Sequence, residues 1–86
     1  MAVSVFCNTI AMPGRRQAVE RAVLQGIGQR PGNWVISIFE PQPSPEYIVS
    51  IEGPDGFAWK RAFFGPVEQT PEFIQTEVAR AVRQKA

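Results

Sequence analysis

Apolar residues recur along the chain with two different periods, and prolines mark where one period gives way to the next. From Ala2 to Asn8 (AVSVFCN) β-branched and aromatic residues dominate, and alternation puts Val3, Val5 and Cys7 on one face of a first strand. After a turn at Asn8 to Gly14, the stretch from Arg15 to Gln29 carries Val19, Ala22, Val23, Gly26 and Ile27 at helical spacing. Arg16, Glu20, Arg21 and Gln25 fall on or near the opposite side, and the Arg30-Pro31-Gly32 stop frays this amphipathic helix from Gly28 onward. Trp34 to Glu40 (WVISIFE) is the strongest strand pattern, with Trp34, Ile36 and Ile38 on one face and Val35, Ser37 and Phe39 on the other. Strands at Tyr47 to Glu52 and Phe57 to Phe64 follow, joined by a tight turn at Gly53-Pro54-Asp55-Gly56. The connector Pro41-Gln42-Pro43-Ser44-Pro45 is stiffer, yet short enough to return the chain antiparallel. Thr70-Pro71-Glu72 then opens a second helix with a capping hydroxyl, a proline at the first helical position and an acid in the first turn. Ile74, Val78, Ala81 and Val82 form its buried stripe with Phe73 beside it, and Arg80, Arg83 and Lys85 lie toward its negative end.

The order is β-α-β-β-β-α, an α+β fold. A helix between the first two strands implies a parallel crossover, and the remaining strands form an antiparallel meander, so the four-stranded sheet is mixed. Two helices with one apolar stripe each cover one face of such a sheet, which gives a two-layer sandwich with the other face open. The strands are apolar on both sides: Phe6, Phe39, Ile48 and Phe64 point away from the helices and make the open face a candidate interaction surface, for a second copy of the chain or for a ligand.

Length agrees with this reading. Eighty-six residues are enough for one domain, 1–86, and too few for two cores. A chain this short buries only about 60% of the surface its unfolded form exposes, so association with a second copy is a natural supplement and a homodimer is expected. Hydrophobic residues at 44% and charged residues at 20% exclude a disordered chain. No apolar run reaches the length of a membrane span, and Met1 to Cys7 lacks the features of a signal peptide, so a cytoplasmic protein without membrane partners is expected. The net charge of +1 creates no strong field toward nucleic acid or membrane.

Candidate chemistry is sparse. Cys7 is the sole cysteine and no histidine is present, so a disulfide within the chain, a thiolate metal cluster and a histidine-activated nucleophile are all excluded, and no metal or cofactor is expected. Gly14, Arg15 and Arg16 open the first helix, where positive side chains oppose the helix dipole; free backbone N–H groups and two guanidinium forks there suit a small anionic ligand. Trp59, Lys60 and Arg61 interleave an aromatic with bases, the composition of a nucleic-acid platform, although alternation puts Trp59 and Arg61 on one face and Lys60 on the other. Glu46, Glu52 and Asp55 are not brought together by spacing, and no phosphate-cradling loop or nucleophile elbow occurs.

Two families share local features with this chain. The stretch from Gly14-Arg15-Arg16 to Trp34-Val35-Ile36-Ser37-Ile38-Phe39-Glu40-Pro41 resembles the β-α-β unit of the tautomerases over about half the chain, which would imply an enzyme with an amino-terminal proline as base; Ala2 follows Met1 here. The run from Pro45-Glu46-Tyr47 to Gly53-Pro54-Asp55-Gly56, with an alanine-containing helix after it, is similar to the first hairpin of double-stranded-RNA-binding domains. That family grips phosphates with lysines at the start of its last helix, where this chain has Thr70-Pro71-Glu72, and Gly56 stands where a contacting histidine is usual. The leading expectation is therefore a non-catalytic binding or self-association module. A binder or tautomerase-like enzyme for a small anionic ligand comes second, and an RNA-binding module third.

Overall fold

The computed structural model describes residues 2–41 and 45–85, so positions 42–44 of the proline-rich connector lie outside the described residues. Strand β1 (Ala2–Asn8) leads into helix α1 (Pro13–Ile27), then β2 (Asn33–Phe39), β3 (Tyr47–Glu52) and β4 (Ala58–Phe63), followed by a single helical turn α2 (Gly65–Glu68) and helix α3 (Pro71–Lys85). The α+β architecture and the mixed four-stranded sheet follow the expected order of elements. Spatial order equals chain order, β1-β2-β3-β4, with β1 parallel to β2 and both later pairs antiparallel. Helix α1 returns the chain to the starting end of the sheet, which is what a parallel neighbour requires.

One face of each strand feeds a single core. Trp34, Ile36 and Ile38 from β2, Tyr47, Val49 and Ile51 from β3 and Phe63 from β4 are buried together with Val19, Ala22, Val23 and Ile27 of α1 and Ile74, Val78 and Val82 of α3. Period-2 burial in the strands thus meets period-3.6 burial in the helices, and both helices occupy the same side. They lie unusually close. A Cβ on Gly26 would come within 2.8 Å of Val78 Cβ and 3.0 Å of the Gln75 carbonyl oxygen, so the absent side chain sets the separation of α1 from α3.

Several local details differ from simple patterning. Helix α1 starts two residues earlier than expected, with Pro13 at its first turn and no side-chain cap on Met12, and it ends at Ile27 against Gly28, whose φ of 69° suits glycine. Helix α3 has the expected cap: Thr70 Oγ1 accepts from the Phe73 N–H at 3.2 Å. Helix α2 is an element beyond the expected order; Gly65, at φ 79°, turns the chain into it, and the Glu68 carboxylate accepts from the Phe64 N–H at 2.9 Å. The β3–β4 turn winds into a short 3₁₀ segment, Pro54–Gly56, with Asp55 at φ 60°.

Strand β1 carries the main correction. Val5 pairs with Ile36, but Cys7 pairs with Ser37, leaving Phe6 as an extra residue in a β-bulge. Ile36 faces the core and Ser37 the open side, so Cys7 leaves the face that Val3 and Val5 share. Asn8, opposite Ile38, returns to the helix side, where its Nδ2 donates to the Arg16 carbonyl oxygen and to Glu20 Oε1, each at 3.1 Å.

Gly26→Ala tests the interhelical approach. Alanine gains about 0.5–1 kcal/mol of helix propensity over glycine, but the methyl group overlaps Val78 and a backbone carbonyl that cannot rotate away. Overpacking costs about 1–3 kcal/mol, so a net loss of about 1–2 kcal/mol in urea denaturation is expected; a gain would mean that the helices stand further apart.

Candidate functional site

Reading the pairing registers across the sheet reconstructs the side that the helices leave open. Val35, Glu52 and Ala58 form one row, Ser37, Ser50 and Lys60 the next, and Phe39, Ile48 and Ala62 a third. The bulge pushes Phe6 outward beside Val35, Ser37, Ser50 and Glu52, around a shallow depression of about 260 Å³. Phe6 is 77% exposed, Phe64 55% and Phe39 39%, whereas Ile48 is half-buried. Phe64 continues the alternation of β4 one residue past its end in extended backbone. The face is therefore mixed and not apolar throughout: aromatic residues cluster at one end and one edge, serines sit at the centre, and Glu52 and Lys60 lie in adjacent rows of β3 and β4. The expectation of strands apolar on both sides is corrected by the central serines.

The start of α1 is organised by the chain's own groups. Arg15 Nε donates to the Tyr47 hydroxyl at 3.1 Å and its guanidinium stacks 5.7 Å from that ring's centroid, so this side chain lies over the core edge. Arg16 is exposed, its backbone N–H donating to the Met12 carbonyl at 2.8 Å. Next to Gly14, the loop already receives a carboxylate: Glu40 Oε1 accepts from the Ala11 N–H at 3.0 Å, while Glu40's own N–H donates to Thr9 Oγ1 at 3.0 Å. In the sequence pattern Glu40 is only the end of a strand, since a contact spanning 29 residues leaves no periodic trace.

Trp59 and Arg61 lie on the helix side and Lys60 on the open side, as alternation demands. Trp59 packs against the core. The Arg61 guanidinium stacks on Phe63 at 4.9 Å and Phe73 at 5.4 Å, pairs with Glu77 and approaches Glu68 at 3.9 Å. Glu77 also holds Arg80 at 3.2 Å. The aromatic and basic residues of β4 are thus divided between a packed cluster and one exposed lysine.

By sequence pattern Arg30-Pro31-Gly32 is a helix stop and Gly53-Pro54-Asp55-Gly56 a tight turn. They meet above Trp34 and bound a cleft of about 380 Å³. Two turns brought together by the fold produce no local signal; the proximity of proline and glycine in both was the only hint.

Among the described residues no group of three or more acidic or cysteine side chains is placed to hold a metal ion, and no helix is long and apolar enough to cross a membrane. No known family model matches the chain, and no curated protein or solved structure shows significant similarity to it.

Arg61→Ala is expected to cost about 1–2 kcal/mol of stability, because two aromatic contacts and stem packing are lost along with a partly exposed ion pair that contributes little by itself. Arg61→Met, which keeps the stem, should recover part of that loss in the same denaturation experiment. An unchanged midpoint in Arg61→Ala would show that the guanidinium is not structural.

Proposed function

We propose that the chain is a non-catalytic self-association module whose open sheet face docks on the same face of a second copy. The observation that carries this reading is the set of protruding phenylalanines, Phe6, Phe39 and Phe64, on a sheet side that neither α1 nor α3 covers. Water contact with those rings is unfavourable at about 25 cal/mol per Å² of apolar surface, and a matching apolar surface removes it.

Self-docking is supported by the arrangement of the rows. With a two-fold axis running along the strands between β2 and β3, Phe39 meets Ile48 of the second copy and Ser37 meets its Ser50, in both directions at once. The same axis sets Lys60 against the bulge at Phe6, where the ring offers a cation–π partner. Aligned packing of two twisted sheets accommodates such a face-to-face contact. Four strands spaced about 4.8 Å apart, rising about 3.3 Å per residue over six or seven residues, give roughly 400 Å² in plan per copy. The protruding rings raise the accessible area above the plan area, toward the roughly 1,000 Å² that a specific interface buries in total.

The charged side chains elsewhere support a non-catalytic reading. Arg15 is engaged with Tyr47, Glu20 with Asn8, Glu40 with Ala11, and Arg61 with Glu77. Each has a structural partner, so none is left as an evident acid, base or nucleophile.

Sedimentation equilibrium or light scattering tests the proposal. At micromolar concentration the mass should be about twice the 9.6 kDa of the chain. Phe39→Glu, which the symmetry counts twice, should raise the dimer Kd by about a hundredfold or more, while Arg83→Glu on the exposed side of α3 should leave it unchanged. A strict monomer at micromolar concentration, or a dimer indifferent to Phe39→Glu, overturns it.

A further inference from the structure

A second region, on the helix side and away from the open face, has the makings of a small-molecule site. The cleft above Trp34 has a volume of about 380 Å³, within the roughly 300–1,000 Å³ span of small-molecule pockets. Its walls are Pro31, Trp34, Pro54 and Val82, with Arg30 and Asp55 contributing the charged groups. Apolar walls with a few placed polar groups are what a specific pocket requires.

This cleft is built, not a chance gap between loops. Trp34 Nε1 donates to the Pro31 carbonyl at 3.2 Å, and the Trp34 ring meets Phe57 edge-on at 5.5 Å between centroids. A Cβ at Gly53 would fall 2.6 Å from the Trp34 ring, and one at Gly32, where φ is 96°, would fall 2.7 Å from Pro54. Both turns are thus pressed onto the indole and onto each other. The Phe57 N–H donates to Pro54 O at 3.2 Å and Gly53 N–H to Phe57 O at 2.9 Å, which holds the turn in shape.

Arg30 is the anomalous residue. Its Nε is sealed from water and has no hydrogen-bond partner, and among the described residues its guanidinium has no ion pair. An unpaired donor on a cationic group is costly, because protein has replaced water without supplying an acceptor. A small rotation of the side chain toward the cleft would offer the planar fork to an incoming acceptor, and a carboxylate matches that fork with two parallel hydrogen bonds. Of the two charged residues in the lining, Arg30 is the cationic one and is therefore the place for a ligand's anionic end.

From these observations we propose that the cleft binds a small carboxylate carrying a flat or branched apolar body. The carboxylate pairs with Arg30, and the apolar part lies against Trp34 between Pro31, Pro54 and Val82. The proposal does not rest on self-association through the sheet.

Benzoate, phenylacetate and indole-3-acetate, each paired with its neutral amide, are suitable probes in titrations followed by ¹H–¹⁵N correlation spectra. Saturable shifts are expected at the Trp34 indole N–H and the backbone signals of residues 30–34 and 53–57 for at least one carboxylate, with about tenfold or weaker binding of its amide. Arg30→Gln should weaken the carboxylate by a similar factor, Arg30→Lys should fall between, and Arg83→Gln should have no effect. The spectra themselves report whether each variant is folded. No saturable shift in the cleft below about 10 mM for any of the three acids, equal binding of acids and amides, or full affinity in a folded Arg30→Gln chain overturns the proposal.

Discussion

The close approach of α1 to α3 at Gly26 and Val78 is the contact on which the rest of the architecture depends. A side chain at Gly26 would separate the helices, and the core beneath them, from Val19 to Val82, would then be under-filled. With the two helices side by side on one face, fifteen apolar side chains among the described residues are sealed into a continuous cluster. The same economy leaves, among the described residues, no helix for the opposite face of the sheet. Exposure of Phe6 and Phe39 therefore follows from how the core is closed.

Polar groups in this molecule act mainly as fasteners between segments distant in sequence. Asn8 holds the end of β1 to α1, Thr9 and Glu40 tie the following loop to the end of β2, and Arg61 links β4 to α3 through Glu77. Gln69 does the same for β4, its amide donating to the Phe63 carbonyl at 3.0 Å. Such links matter in a small domain, where burial alone leaves little margin. They also engage Arg15, Glu20, Glu40, Arg61 and Glu77, whereas Arg30 has a buried Nε that no acceptor among the described residues meets.

The legibility of this fold in its sequence divides along a physical line. Elements specified by period, such as Trp34-Ile36-Ile38 or Ile74-Val78-Val82, could be read directly, because burial follows local geometry. The cap at Thr70 was equally visible, since a hydroxyl followed by proline has few other uses. The bulge at Phe6 was hidden: AVSVFCN alternates well enough for a regular strand, and only pairing with β2 shows that one residue is extra. Helix α2 is a single turn, too short for a period to declare itself. Of the candidate sites, Phe6, Phe39 and Phe64 could be placed on the exposed side by alternation and position. The engagement of Arg15 by Tyr47 and the meeting of two turns over Trp34 depend on tertiary proximity across 32 and more than 20 residues, which no local pattern encodes.

The bulge has a consequence for how copies of this chain can aggregate. Strand β1 lies at one margin of the sheet, and an uninterrupted margin invites a neighbouring chain to add its own strand, then another, without limit. An extra residue at Phe6 shifts the register of β1 against β2 midway along the strand and bends and twists it, so its outer edge is not a straight template. Lateral growth at that margin is thereby discouraged.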